Sequence, residues 1–220
     1  MNDTAVRQLD MGRRVRDFTN SLAALFTTGS RARLLVDRAN EAVALLETES
    51  AKQLNAARSE QDATDRKDEL LRQLLEQMSA VNLTARGMNK LYPGITALFR
   101  MPRGSGIQNC INTARSFITE ATPRAADFTG RGLPANFLTT MEATIAQLLA
   151  VIDEQDEARR RQTTATAAIK AAQRQLLDST HELNPIIRNM FGTDPATLAA
   201  WDSARRVERA PKKAAKKKTP

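Results

Sequence analysis

Apolar residues recur every three or four positions along most of the chain, a spacing that predicts helices and no sheet. The first run covers residues 3–26, with Leu9, Val15, Phe18, Leu22, Leu25 and Phe26 on its apolar side. Thr27-Thr28-Gly29-Ser30 interrupts it, and Ser30 is placed to cap a second helix. From Arg31 to Tyr92 there is no proline and only one glycine, Gly87. Leu35, Ala39, Val43 and Leu46 make an early stripe there, and Leu70, Leu74, Met78, Val81, Ala85 and Met88 a later one. Between them residues 59–69, SEQDATDRKDE, are almost wholly polar. Either one long helix crosses solvent at this waist, or a bend divides it.

Pro93-Gly94 closes that segment, and residues 95–106 read as a connection to a shorter helix over 107–121. Pro123 and the turn Gly130–Pro134 punctuate the next stretch, with Pro134 suited to a first helical position. A second long helical segment is expected over 135–191. Its stripes are Phe137, Met141, Ile145, Leu148 and Ile152, then Ile169, Ala172, Leu176, Leu177 and Leu183. DEQDEARRRQTT lies between them as a second polar waist, where acids followed by arginines suit i, i+4 pairing on a solvated face, with a polar internal layer or a partner surface as the alternative. Pro185 should kink this helix or end it near Asn184. Asp194-Pro195 then opens a last short helix bearing Leu198 and Trp201.

The expected fold is all-α: an elongated antiparallel four-helix bundle spanning 1–208, with Trp201 docking the last helix. Its halves, about 1–94 and 107–208, share one plan of short helix, break and long helix, joined by a linker over 95–106. A shift of 102 residues pairs Leu35 with Phe137, Ala39 with Met141, Val43 with Ile145, Leu46 with Leu148, Leu74 with Leu176, Leu75 with Leu177, Val81 with Leu183 and Met88 with Met190. An internal duplication would explain this, since each half needs the other to cover its apolar face.

Charge divides the chain differently. From Arg205 to the end eight basic residues face one acid, which leaves 25 basic and 24 acidic residues over 1–204. The net charge of +8 therefore mostly reports a C-terminal segment. Residues 209–220 carry Lys212, Lys213, Lys216, Lys217 and Lys218 among alanines and prolines, a composition expected to stay disordered. Such a tail suits phosphate polymers by counterion release, without reading sequence. Anionic lipid, an acidic protein or mere solubility are its other uses.

Candidate chemistry is sparse. Cys110 is the single cysteine, so no intrachain disulfide or cysteine metal cluster can form, and it reads as a small buried apolar residue. His181 is the single histidine, with Asp178 one turn before it. One histidine cannot supply a two-metal carboxylate site or a convincing triad, so it reads as a solvent-facing or locally bonded side chain. The loop Arg100-Met101-Pro102-Arg103-Gly104-Ser105-Gly106 offers two arginines and flexible glycines before a helix. Arg100, Arg103, Gly104 and Gly106 are thus a possible anion loop, although a helix–helix connection explains them equally well and no nucleotide-loop spacing is present. No apolar run approaches a membrane span, and the N-terminus lacks a secretory pattern, so a cytoplasmic protein is expected.

GLPANF at 132–137 and DPATLAAWDSARRVERAP at 194–211 resemble features of a group of bacterial proteins. The resemblance implies an all-helical chain with two similar halves and a basic end, and no activity. A non-enzymatic interaction or scaffold protein without cofactors is expected, its tail binding nucleic acid. The alternative is a bundle that assembles with itself or with a helical partner, the tail being incidental.

Overall fold

The computed structural model describes residues 3–104 and 106–208. They are helical throughout their ordered elements, with no strand among them. In order these are α1 (Asp3–Ser21), α2 (Arg31–Met88), α3 (Ile95–Leu98), α4 (Ile107–Ala121), α5 (Ala125–Thr129), α6 (Phe137–Met190) and α7 (Pro195–Ala204). Short 3₁₀ turns occupy Ala23–Leu25 and Thr122–Arg124. The lysine-rich segment 209–220 lies outside the described residues.

Side-chain caps explain the starts of α2 and α7. The Ser30 hydroxyl accepts the Arg33 amide at 3.1 Å and opens α2. Asp194 accepts the amides of Ala196 and Thr197, both at 3.1 Å, and Pro195 occupies the first turn of α7. The Thr197 hydroxyl and amide bonds hold the Asp194 carboxyl below its usual range. Gly94, at φ 91°, supplies the left-handed residue after which α3 begins.

Several boundaries differ from expectation. The first helix ends at Ser21, not near 26. The Thr19 hydroxyl donates to the carbonyls of Val15 and Arg16, and the Ser21 hydroxyl to that of Phe18. Beyond them the Leu22 amide bonds back to the Thr19 carbonyl at 3.3 Å, the tighter 3₁₀ pattern, and the chain leaves the α-helix. Leu25 falls in the 3₁₀ turn and is half exposed. Pro134 does not open α6; its carbonyl accepts the Phe137 amide, and the helix starts there. Pro185 sits inside α6 without ending it. It lacks the N–H that would bond the His181 carbonyl, but Leu183 and Ile187 on either side are fully buried and hold the helix on its core.

The contacts form two compact units. Unit 1 combines Met1–Ala57 with Arg160–Pro220, and unit 2 is Arg58–Arg159. Each takes part of both sequence halves. In unit 1, Leu9, Val15, Leu35, Val43, Leu46, Leu176, Leu183 and Trp201 belong to one core. Gly12 is required there: a Cβ would come within 2.7 Å of a Leu176 methyl and 2.8 Å of a Val43 methyl. Trp201 is fully buried, 5.3 Å from the Phe18 ring, and its Nε1 donates to Asn184 Oδ1 at 3.1 Å. In unit 2, Leu74, Met78, Val81, Ile111, Met141 and Leu148 surround three phenylalanines. Phe99 meets Phe117 and Phe128 edge-on, each at 5.3 Å.

The polar waists are not simply solvated. Helices α2 and α6 run through both without a break. Ala56 and Ala165 are buried in unit 1, Ala63, Gln155 and Ala158 in unit 2. Alanines let polar neighbours reach across: Gln53 Nε2 donates to Thr166 Oγ1 at 2.8 Å in unit 1. In unit 2, Gln155 Nε2 donates to Thr64 Oγ1 at 2.7 Å, and Gln155 Oε1 accepts from Lys67 Nζ at 3.1 Å. Arg159 pairs with Glu60 at 2.8 Å, and Arg66 with Glu154. These waists form narrow seams of alanine and hydrogen-bonded amides, flanked by exposed ion pairs.

Candidate cationic surface

Unit 2 is nearly neutral as a whole, with 12 basic and 13 acidic residues, but its charge is sorted along the chain. Residues 77–141 hold seven basic residues and two acids, whereas residues 58–76 with 142–159 hold five basic residues and eleven acids. Their net charges are +5 and −6. The two acids of the basic stretch are Glu120 and Asp127. Asp127 is already engaged: it accepts the Tyr92 hydroxyl at 2.9 Å and lies 3.8 Å from Arg131. That hydrogen bond holds the Tyr92 phenol above its ordinary value, because ionising it would place two anions together. Arg124 stands 6.0 Å over the Tyr92 ring.

The side chains of Arg86, Lys90, Arg100, Arg103 and Arg115 are left exposed, and none forms an ion pair with a described residue. Helix geometry places the first of them. At about 100° per residue, Val81, Ala85 and Met88 share the buried stripe of α2, while Leu83 and Arg86 point to the other side. Asn82, one turn before Arg86, donates from Nδ2 to the Phe99 carbonyl. That bond and the phenylalanine cluster bring the chain at Arg100 alongside the last turns of α2. Leu83, Leu91 and Leu98 alternate with these cations along residues 83–103 and are 69%, 60% and 40% exposed.

The loop does not close into an anion cradle among its described residues. Arg100 and Arg103 are exposed, and the Arg103 carbonyl accepts from Asn109 Nδ2 at 3.2 Å. Gly104 has φ 92°, and Gly106 precedes α4 in extended backbone with no side-chain cap. The loop contributes two guanidiniums without an ion pair among the described residues, and the Asn82–Phe99 bond brings its start to the end of α2, which bears Arg86. Lys212, Lys213, Lys216, Lys217 and Lys218 lie outside the described residues.

Unit 1 holds an informative counterpart 102 residues further on. There Asn184 and Trp201 stand at the positions of Asn82 and Phe99, Arg188 and Arg205 at those of Arg86 and Arg103, and Asp202 at that of Arg100. Asp202 accepts Arg188 Nη2 with both oxygens, at 2.8 and 2.9 Å, and Arg205 Nε at 2.8 Å. The Arg205 bond, then Arg188, holds its carboxyl below the usual range. Pro185, Thr193 and Ala200 stand where unit 2 has Leu83, Leu91 and Leu98. At these positions unit 1 ties two arginines to one carboxylate, whereas unit 2 carries cations without that acid and exposed leucines.

The remaining chemistry is modest. Cys110 is buried, and burial pushes its thiol up, which disfavours the nucleophilic thiolate. His181 is exposed. Asp178 lines a shallow polar depression with Arg38, Glu41, Gln175, Ser179 and Glu182, which His181 does not join. Among the described residues no three His, Cys, Asp or Glu side chains gather as a metal set, and no helix is long and apolar enough to cross a membrane. A cavity of about 210 Å³ in unit 2 is lined mainly by Val81, Leu133, Phe137 and Met141. No family model, curated protein or solved structure matches the chain.

Sequence reasoning missed this surface because it averaged charge over residues 1–204. A window over 77–141 carries the signal without coordinates. The exposure of Leu83 and its neighbours could not be read that way, since leucines between apolar stripes look like core.

Proposed function

We propose that this chain is a non-enzymatic helical interaction protein that binds polyanions through two cationic segments. One is the surface of unit 2 around Arg86 and Arg100, and the other is the lysine run Lys212–Lys218, suited to nucleic acid without sequence readout. The observation that carries the reading is charge placement. Residues 77–141 hold +5 and residues 209–220 hold +6, so the rest of the chain holds −3 of the total +8. Like charges concentrated in this way repel one another, a cost that an anionic partner would relieve. Lysines in the terminal segment suit diffuse contact with phosphates, and arginines on the folded unit suit bidentate contact.

The scaffold in this reading is a helical bundle of two halves copied from one plan. The 102-residue offset supports it beyond stripe matching. Helices α2 and α6 end at Met88 and Met190, and α1 and α4 stand at matching places. The bonds Gln53–Thr166 and Gln155–Thr64 interchange under the same offset. Leu35 and Phe137, Val43 and Ile145, Leu46 and Leu148, and Leu74 and Leu176 are buried in both copies. Met88 and Met190 are not, since Met190 is 43% exposed.

A DNA titration of the full chain against a truncation after Glu208, at two salt concentrations, tests the reading. The full chain should bind more tightly with a steeper salt slope, the truncation weakly but measurably through unit 2. Equal affinities would remove the lysine segment from the account. No binding by either would remove nucleic acid from the account.

A further inference from the structure

We propose that the unit 2 surface bearing Leu83, Arg86, Lys90, Leu91, Leu98 and Arg100 docks on an anionic lipid bilayer, the leucines entering the interface and the cations meeting headgroup phosphates. The inference rests on reading this cationic stretch as a contact surface, and it names the partner. Charge alone would serve any polyanion. The leucines decide, because Leu83 and Leu91 are the two most exposed large apolar side chains among the described residues. A nucleic-acid backbone gains nothing from them. Stacking on bases needs an exposed aromatic ring, and the nearby Tyr92 is half-buried and tied to Asp127. A bilayer interface takes up leucine and cation together.

The counterpart in unit 1 shows what the place looks like without that pairing. Asp202 ties Arg188 and Arg205, and proline, threonine and alanine replace the three leucines. The leucines and the unpaired arginines therefore occur together in unit 2, and neither stands at the matching positions of unit 1. The fold does not require either one. The cavity bounded by Val81 and Phe137 shares no residue with this surface.

The test is sedimentation of the full chain with phosphatidylcholine vesicles, with and without phosphatidylglycerol. The wild type should bind the anionic vesicles only. Arg100→Asp places an acid where it can tie Arg86 and Arg103 as Asp202 ties Arg188 and Arg205. At about fivefold per charge, a change of two charges weakens binding by roughly 25-fold. Arg100→Gln should lose about fivefold on the same basis. Replacing Leu83, Leu91 and Leu98 by serine should weaken it by about tenfold or more, and the loss should persist at high salt. All three leucines are exposed, and an unchanged helical circular dichroism spectrum confirms that the variants fold. Replacing Lys212, Lys213, Lys216, Lys217 and Lys218 by glutamine should leave the leucine dependence intact. The proposal is overturned if the serine variant binds like the wild type, because the lysine run or bare charge would then account for the binding. It is also overturned if duplex DNA, and not the vesicles, is the ligand that Arg100→Asp weakens; polyanion binding would then stand without the lipid. Failure to bind either ligand removes both readings.

Discussion

Replacing Trp201 by phenylalanine puts in unit 1 the ring that unit 2 carries at the same place, and its cost can be worked out from the contacts. The indole N–H bond to Asn184 Oδ1 is lost, worth about 1 kcal/mol net. The penalty stops there, because Asn184 Oδ1 also accepts from Arg188 Nε at 3.2 Å and is not orphaned. The smaller ring leaves roughly 40 Å³ unfilled, which at about 24 cal/mol per Å³ adds about 1 kcal/mol. Trp201→Phe should therefore destabilise unit 1 by about 2 kcal/mol, whereas Trp201→Ala, which also empties the place beside Phe18, should cost about 3–5 kcal/mol. Urea unfolding followed by far-ultraviolet circular dichroism measures both. An alanine variant within about 1 kcal/mol of wild type would mean that α7 is not docked through this side chain. A phenylalanine variant as unstable as the alanine one would refute the share assigned to packing.

Gly12→Val should destabilise by about 1–3 kcal/mol through overpacking against Leu176 and Val43, read from the same urea curves. Gln53→Leu should be neutral or slightly stabilising despite losing the Thr166 bond, because Gln53 Oε1 is buried without a partner; a loss above about 2 kcal/mol would contradict this. Cys110 should react slowly with a thiol reagent in the native protein and quickly in denaturant, and fast native modification would contradict its burial. Asp194 has a depressed carboxyl, so the stability it contributes is present above the ordinary aspartate value and is lost as pH falls through the folded one. Asp194→Asn should flatten that part of an acid melting series, with the wild type losing stability where the variant does not.

Helix starts and stops were legible where a side chain or a special φ decides them. Ser30, Gly94 and Asp194-Pro195 each act locally, so their neighbours in sequence are also their partners in space. Pro185 does not end α6, because the buried Leu183 and Ile187 outweigh one missing hydrogen bond. The waists were not legible. Alanine gives no hydropathy signal, and glutamine counts as polar whether it faces water or, like Gln155, is buried and bonded to Thr64. The stripes suggest a 102-residue offset, and the hydrogen bonds Gln53–Thr166 and Gln155–Thr64, which interchange under it, are announced by no sequence pattern. Of the surface, Arg100 and Arg103 were visible as a loop. Their joining with Arg86 and Lys90 needed the Asn82–Phe99 bond, which links positions 17 apart.

Hydrogen exchange of the full chain, with and without a saturating polyanion, tests the central claim most directly. Duplex DNA and phosphatidylglycerol vesicles serve as parallel probes. Added protection should concentrate in the peptides covering residues 83–104. The matching peptides of unit 1, residues 185–206, should exchange as in the free protein, because Asp202 has already neutralised that place. Protection spread equally over both regions, or confined to residues 185–206, would contradict the assignment of the contact surface to unit 2.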